Sequence, residues 1–460
     1  MFFDDLHPIL TARGLLPATH IFRLTFRFQN SKLRLMKHKI ISLKDKKLVL
    51  ENFASLSTLQ CINFLLPLLV FPYLIRVIGP EKFGLIAFAQ SLIQYFMIFT
   101  DYGFSLTATR KISLCKESRQ ASTIFSTVMT VKFVLAAISY LILLILINVV
   151  PKFKSDWLLY LFSFGAVIGN TLFPVWLFQG TEKMRYITII NIIGGIIYAF
   201  SVFIFVRTPD DYILVPLLNS LFFIITGIFG FYVAFKEFDL EFVFQSYHDI
   251  RQELKTGWSI FISIVAINTY TTTRIFAVGL LTNNTITGYY SIAEKITGIV
   301  QIFPLTALSQ AIFPRLSVIF AKNKKRALDL MHKVQHSTTL IYLLVIPIVF
   351  FISPLIVRLI CGANFPEVTI SLKMLLLSVF FISANAFKIQ FLLVCGRPDM
   401  YSRIHVLAAL LGLPLIFIFI YNFSFLGAAA ATVTIEAIIF ISTSQILYAF
   451  ANNPNKMRLK

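Results

Sequence analysis

Seven ionisable side chains interrupt long apolar runs of this chain: Lys132, Arg274, Lys295, Lys388, Asp101, Glu294 and Glu436. Their types define what chemistry they can do. An arginine keeps its charge and grips a phosphate through two parallel hydrogen bonds, whereas a buried lysine is a point charge that can lose its proton. A carboxylate removed from water changes charge with its hydration, so it can carry a proton or a sodium ion; equally, it can be the fixed partner of a neighbouring cation. Arg274 is the most isolated of the seven, in "AINTYTTTRIFAVG" (266–279). On a helix of about 3.6 residues per turn it shares one face with Ser259, Ser263 and Tyr270, a polar stripe that ends in a guanidinium. A lone charge at the centre of a bilayer costs at least about 2.5–3.5 kcal/mol, so Arg274 must face a polar cavity or pair with a buried acid. The cavity is the expectation here.

The elements that position these residues follow from composition. Of the 460 residues 57% are hydrophobic and only 13% charged, the profile of a polytopic, all-α membrane protein. Windows of about 19 residues predict twelve spans. They fall near 52–77, 84–109, 121–149, 157–179, 186–206, 212–235, 257–281, 286–313, 336–358, 368–395, 402–421 and 424–449. The predicted organisation is a basic N-terminal tail (1–50), a six-helix half (51–236), a connector (237–256), a second six-helix half (257–450) and a C-terminal tail (451–460). The connector "KEFDLEFVFQSYHDIRQELKTG" reads as an amphipathic or surface helix, and no loop is long enough to hold a catalytic domain.

The formal charge of +20 raises the question of nucleic acid. Position answers it. When the N-terminal tail and every second connector are assigned to one face, that face holds 30 of the 41 Lys and Arg residues and the opposite face 7, namely Arg76, Lys82, Lys152, Lys154, Arg207, Arg358 and Lys373. This is the positive-inside asymmetry, which puts both termini in the cytoplasm and makes a nucleic-acid partner unnecessary. We call the two faces basic and sparse. The first 35 residues lack the apolar core of about 7–15 residues that a signal peptide needs and read as a disordered tail. Translation from Met36 would leave a compact basic lead into the first span, and an intact mass distinguishes the two starts.

Cys61, Cys115, Cys361 and Cys395 are scattered without a paired spacing, so neither a disulfide framework nor a metal site is expected. His332 and His336 have the i, i+4 spacing of two metal ligands but no third ligand nearby, and read as a polar helix face. No P-loop, GxSxG or HExxH occurs, so the expectation is transport rather than catalysis. Internal repetition agrees with two halves. "FGLIAFAQSLIQ" (83–94) lies over "TGYYSIAEKITG" (287–298), matching Gly84 with Gly288 and Ala89 with Ala293, and "QGTEKM" (179–184) is similar to "CGRPDM" (395–400). Six spans per half leave both halves in the same orientation, related by a pseudo-two-fold along the membrane normal with a central cavity between them. Lys132, near mid-depth of the third span, would then meet Arg274 across that cavity as an anion clamp. Lys295 adjoins Glu294, and Lys388 is close enough to its span end to snorkel to the interface. Prolines at 67, 72, 174, 304, 347 and 414 predict kinks, and "GAVIG" (165–169) and "GAAAAT" (427–432) predict close helix packing.

The strings "IRVIGPEKFGLIAFAQSLIQYFMIFTDYGFSLTATRKIS" (75–113), "PVWLFQGTEKMRYITI" (174–189) and "GYYSIAEKI" (288–296) resemble the Wzx-type flippases of O-antigen and related polysaccharides. These form the polysaccharide-transport branch of the multidrug/oligosaccharidyl-lipid/polysaccharide exporter superfamily. The resemblance spans roughly residues 45–450 and is specific for the branch, not for the sugar. It implies a twelve-helix inner-membrane transporter that moves an undecaprenyl-pyrophosphate-linked oligosaccharide to the periplasmic leaflet by alternating access. It also implies a proton or sodium gradient as the energy source, no bound cofactor, and a polysaccharide polymerase and chain-length regulator as partners. Physical chemistry is consistent with such transport, because a hydrated sugar needs a polar cavity, the pyrophosphate needs buried cations, and the polyprenyl tail can stay among membrane lipids. The competing reading is a cation-coupled multidrug exporter of the same superfamily, which would depend on Asp101, Glu294 and Glu436 rather than on Arg274 and Lys132. A membrane polymerase or glycosyltransferase would carry a sizeable external loop, and none is present.

Overall fold

Breaks in the backbone lay out the helices. The computed structural model describes residues 43–115 and 117–452. The tail residues 1–42 with Met36, and residues 453–460, lie outside the described residues. The first helix, α1 (Leu43–Asp101), is broken at Gly79 (φ 75°, ψ 168°), which turns the chain back on itself. A second break follows at Tyr102 (φ 46°) and Gly103 (φ 82°), both left-handed, before α2 (Phe104–Leu114). Next come α3 (Ser118–Val149), the short α4 (Pro151–Lys154), α5 (Trp157–Leu172), α6 (Val175–Gly180) and α7 (Arg185–Phe205). A capped 3-10 turn (Pro209–Ile213) leads into α8 (Leu214–Phe238). The rest of the chain forms α9 (Tyr247–Leu281), α10 (Asn284–Lys322), α11 (Lys324–Cys361), α12 (Pro366–Val394) and α13 (Pro398–Asn452), the last broken at Ser424 (φ 54°, ψ −135°).

Among the described residues the fold is all-α, and nine helical stretches are long and apolar enough to cross a membrane. Two of these, Leu68–Leu114 and Asp399–Ala449, include the breaks at Gly79 and Ser424. Most predicted segments fall on one helix or one limb of a broken helix, but 84–109 runs across the break at Tyr102 and Gly103 into α2, and 157–179 across Phe173 and Pro174 into α6. Proline is not where the chain turns most sharply. Pro174 does separate α5 from α6, but Pro347 and Pro414 sit inside continuous helices. Neighbouring helices can re-satisfy a carbonyl freed by proline, whereas a reversal needs left-handed backbone.

Helices α1 to α8 pack as one set, with α5 against α8 and α1 against α7 and α5; α9 to α13 pack as another, with α12 between α10, α11 and α13. The small residues of "GAVIG" allow the α5–α8 approach: a Cβ on Gly169 would lie 2.1 Å from the Phe223 carbonyl carbon. The connector differs from its predicted form. Residues 240–246 are extended, not helical, and lie along α3: the Glu241 and Val243 N–H groups donate to Ser122 Oγ (3.1 Å) and Ser126 Oγ (2.9 Å). Ser246 then caps α9, its Oγ accepting from the Asp249 N–H (3.2 Å).

The two sets meet at both faces. At the sparse face α1 crosses α10 so closely that a Cβ on Gly84 would fall 2.0 Å from the Asn284 carbonyl oxygen, and one on Gly288 1.9 Å from that of Pro80. There the first set also caps helix ends of the second. Arg76 donates to the Leu359 and Ile360 carbonyls of α11, and Lys152 to those of Gly279 and Thr282 at the end of α9. At the basic face Tyr102 stacks on Phe261 (centroids 4.6 Å apart, planes at 12°), and Lys111 of α2 is ion-paired with the buried Glu253 of α9. Lys111→Gln leaves Glu253 unpaired, at a cost between the ~1 kcal/mol of an exposed pair and the ~3 kcal/mol of a buried one. Thermal unfolding in detergent should show the lower midpoint, and adding Glu253→Gln should restore most of it; an unchanged midpoint in the single variant refutes the contribution.

Candidate substrate-binding site

Arg274 stands on α9 where α10, α13 and α1 converge. Its Nη2 is 3.2 Å from Glu294 Oε1 on α10, its Nη1 donates to Thr432 Oγ1 on α13 (3.3 Å), and its Nε donates to the Thr271 carbonyl (3.2 Å). The Arg274 and Glu294 side chains are 16% and 21% exposed, so the pair is shielded yet reachable. The Thr432 hydroxyl donates to the Ala428 carbonyl (2.9 Å), which uses its one proton and leaves its oxygen to accept from Arg274 and from the Tyr290 hydroxyl (3.4 Å). Glu436 follows one turn beyond Thr432, half-buried and within electrostatic reach of Arg274. The first helix set enters through Tyr95 of α1, whose hydroxyl shares a 2.5 Å hydrogen bond with that of Thr273 beside Arg274.

The other predicted residues divide. Tyr270 is buried one turn before Arg274, its ring 6.3 Å from that of His405; Ser263 is half-buried on the same helix, and the Ser259 side chain lies outside the described residues. Lys132 is 2% exposed inside the first set, where its Nζ donates to the Asn170 carbonyl (3.3 Å) and Asp101 acts on it electrostatically. Asp101 in turn accepts from the Ser105 hydroxyl (3.0 Å). Lys295 points to α1, 5.4 and 5.3 Å from the ring centroids of Phe71 and Phe83. Lys388 donates to Ser444 Oγ (3.0 Å) and lies over the Phe440 ring (4.3 Å).

Thr432, Tyr290 and Tyr95 complete the site without having been singled out in the sequence. Thr432 closes the small-residue run "GAAAAT", which reads as packing; its i, i+4 spacing to Glu436 was the available signal. Chemically the cluster holds one fixed cation between two carboxylates. It can take an anion that displaces Glu294 from the guanidinium, and it has a second acid, Glu436, not itself ion-paired with Arg274.

A bundle of apolar helices that meet around a buried charge cluster is a membrane-protein architecture, and the names of its relatives make the protein a transporter. The chain belongs to the family described as "Polysaccharide biosynthesis protein", whose profile matches residues 49–320. Among its relatives is a protein of Escherichia coli (strain K12), provisionally named an O-antigen transporter, 32% identical over 80% of this chain and 89% of that one. A protein of Shigella dysenteriae with the same provisional name is 25% identical over 80% and 93%. In fold the chain is similar to the lipid II flippase MurJ in an inward closed conformation (TM-score 0.71, 12% identity, 85% of this chain and 87% of that one). It is also similar to an inward-facing MATE family multidrug resistance transporter of the MOP superfamily (TM-score 0.65, 13% identity, 87% and 99%). The polysaccharide family read from the strings at 75–113, 174–189 and 288–296 is therefore the right one.

Proposed function

We propose that this protein flips an undecaprenyl-pyrophosphate-linked oligosaccharide repeat unit from the cytoplasmic to the periplasmic leaflet of a bacterial inner membrane, by alternating access between two six-helix halves. The observation that carries this reading is Arg274, a guanidinium held at mid-span beside the junction of the two helix sets in a chain whose relatives are named for O-antigen transport. The pyrophosphate takes the bidentate donors of Arg274 while the polyprenyl tail remains in lipid. Twelve spans, a pseudo-two-fold along the membrane normal and cytoplasmic termini accompany this reading, supported by the helices at the predicted segments and by the charge asymmetry.

Glu436 is the coupling residue in this scheme. It is the acid within electrostatic reach of Arg274 that forms no salt bridge among the described residues, and such a carboxylate is suited to load and release a proton or sodium ion as the cavity hydrates and dries. A polymerase and a chain-length regulator would receive the product at the sparse face. Gene deletion tests the proposal: surface polysaccharide should disappear, lipid-linked repeat units should accumulate in the inner membrane, and the wild-type gene should reverse both. Normal polysaccharide in the deletion strain together with new drug sensitivity would transfer the assignment to a multidrug exporter.

A further inference from the structure

The basic residues are not spread evenly over the basic face. The turn between α10 and α11 reads "KNKKR" (322–326), and the first turns of α11 add His332, Lys333 and His336. All of these side chains are exposed, and Asp329 is the one acid among them. Asn323 fixes the turn, its Oδ1 accepting from the Arg326 N–H at 2.9 Å, so the cations are displayed on ordered backbone. His332, Lys333, His336 and Ser337 line a shallow, open concavity of about 550 Å³.

What lies next to this concavity identifies the ligand. On the same face of α11, at helical spacing from His332 and His336, follow Leu340, Leu343 and Leu344, 47%, 54% and 70% exposed. Only 17% of the most apolar stretch of this helix is buried against the rest of the protein, the smallest share among the nine candidate spans. A basic cup with no covering helix, standing directly above a lipid-facing apolar stripe, matches a molecule that is anionic at one end and hydrocarbon at the other.

We propose that the first turns of α11 form a binding site for an anionic phospholipid, whose headgroup phosphate sits in the concavity against Lys333 and the two histidines, in the positive field of Lys324 and Lys325 on the turn above, while its acyl chains lie along Leu340, Leu343 and Leu344. Orientation by positive charge needs cations on this face, but it does not need a concavity or a matching apolar stripe below it. The site fixes the depth and tilt of α11, whose most apolar stretch is the least buried of the nine candidate spans. An acidic protein segment would match the charge but would leave the apolar stripe unused.

Native mass spectrometry of the full-length protein in a neutral maltoside detergent tests this, with phosphatidylglycerol and phosphatidylcholine added at equal concentration. Phosphatidylglycerol adducts should dominate, and Lys324→Gln/Lys325→Gln/Lys333→Gln should reduce them about ten-fold or more, since the one lysine of the concavity and two cations of the surrounding field are removed together. Arg119→Gln/Arg403→Gln, which removes cations elsewhere on the same face, should leave the adducts unchanged, as should excess inorganic phosphate. Equal binding of the two lipids, adducts that survive the triple substitution, equal loss in the control variant, or competition by free phosphate would each overturn the site. An unchanged thermal midpoint of the triple variant shows that the loss is one of binding and not of folding.

Discussion

Arg274→Gln is expected to abolish surface polysaccharide in a complementation assay, with a loss of transport of at least two orders of magnitude. Two causes contribute, and they can be separated. Removing the guanidinium leaves Glu294 without its partner at 3.2 Å, and an uncompensated buried charge costs about 3–5 kcal/mol, enough to lower the amount of folded protein. It also removes the group that would hold the pyrophosphate. Adding Glu294→Gln removes the first cause but not the second. The double variant should therefore recover its membrane abundance and thermal midpoint while transport stays absent. Full transport in the double variant would make the pair a structural strut and Arg274 no part of the anion seat. This is a double-mutant cycle read on two scales at once, and the informative result is their disagreement.

Gly84→Ala is expected to have the second large effect, although it adds a single methyl group. The new Cβ would lie 2.0 Å from the Asn284 carbonyl oxygen and 2.3 Å from the Gly288 nitrogen, which are backbone atoms that cannot rotate away. Overpacking of this kind costs about 1–3 kcal/mol when the surroundings can relax. Here the easiest relaxation is separation of the two helix sets at the sparse face. A protein that cycles between a form closed there and a form open there would shift toward the open one, by about ten-fold for each ~1.4 kcal/mol. In a cysteine-free background, Thr273→Cys, placed behind the seal, should then react faster with a membrane-impermeant maleimide from that face, and transport should fall at least ten-fold. Labelling and transport unchanged from the parent would mean that the crossing is not a seal.

How much of this was legible beforehand depends on the range of the interaction. Spans, their alternation and the basic and sparse faces are local or additive properties, so the apolar windows and the lysine and arginine count suffice for them. Residues assigned to one face do meet in the structure: Arg76 with the end of α11, and Lys183 with Glu237. The isolation of Arg274 is also a one-dimensional fact. Its partner is not, because Glu294 and Thr432 come from other helices and only tertiary packing decides which acid faces the guanidinium. Lys132 shows the same limit: its depth in the span can be read from the sequence, but its contact with the Asn170 carbonyl on α5 cannot. The connector was misjudged for a local reason. "FVF" (242–244) is a run of aromatic and β-branched residues, which favour extended chain over helix, inside a stretch whose ends have helical spacing.

Helix α9 belongs to both helix sets at once. Its first turns are tied to the first set by the Lys111–Glu253 pair and the Tyr102–Phe261 stack, and its later turns to the second set through Arg274, Glu294 and Thr432. Any rotation of one set against the other must therefore be absorbed as bending or twisting within the roughly three and a half turns between Phe261 and Arg274, since a rigid rod cannot stay fixed to two bodies that turn apart. The guanidinium sits at the end of that elastic segment. A ligand that pulls Arg274 away from Glu294 exerts a torque on the same segment, so occupancy of the seat and the angle between the two bodies become one mechanical variable.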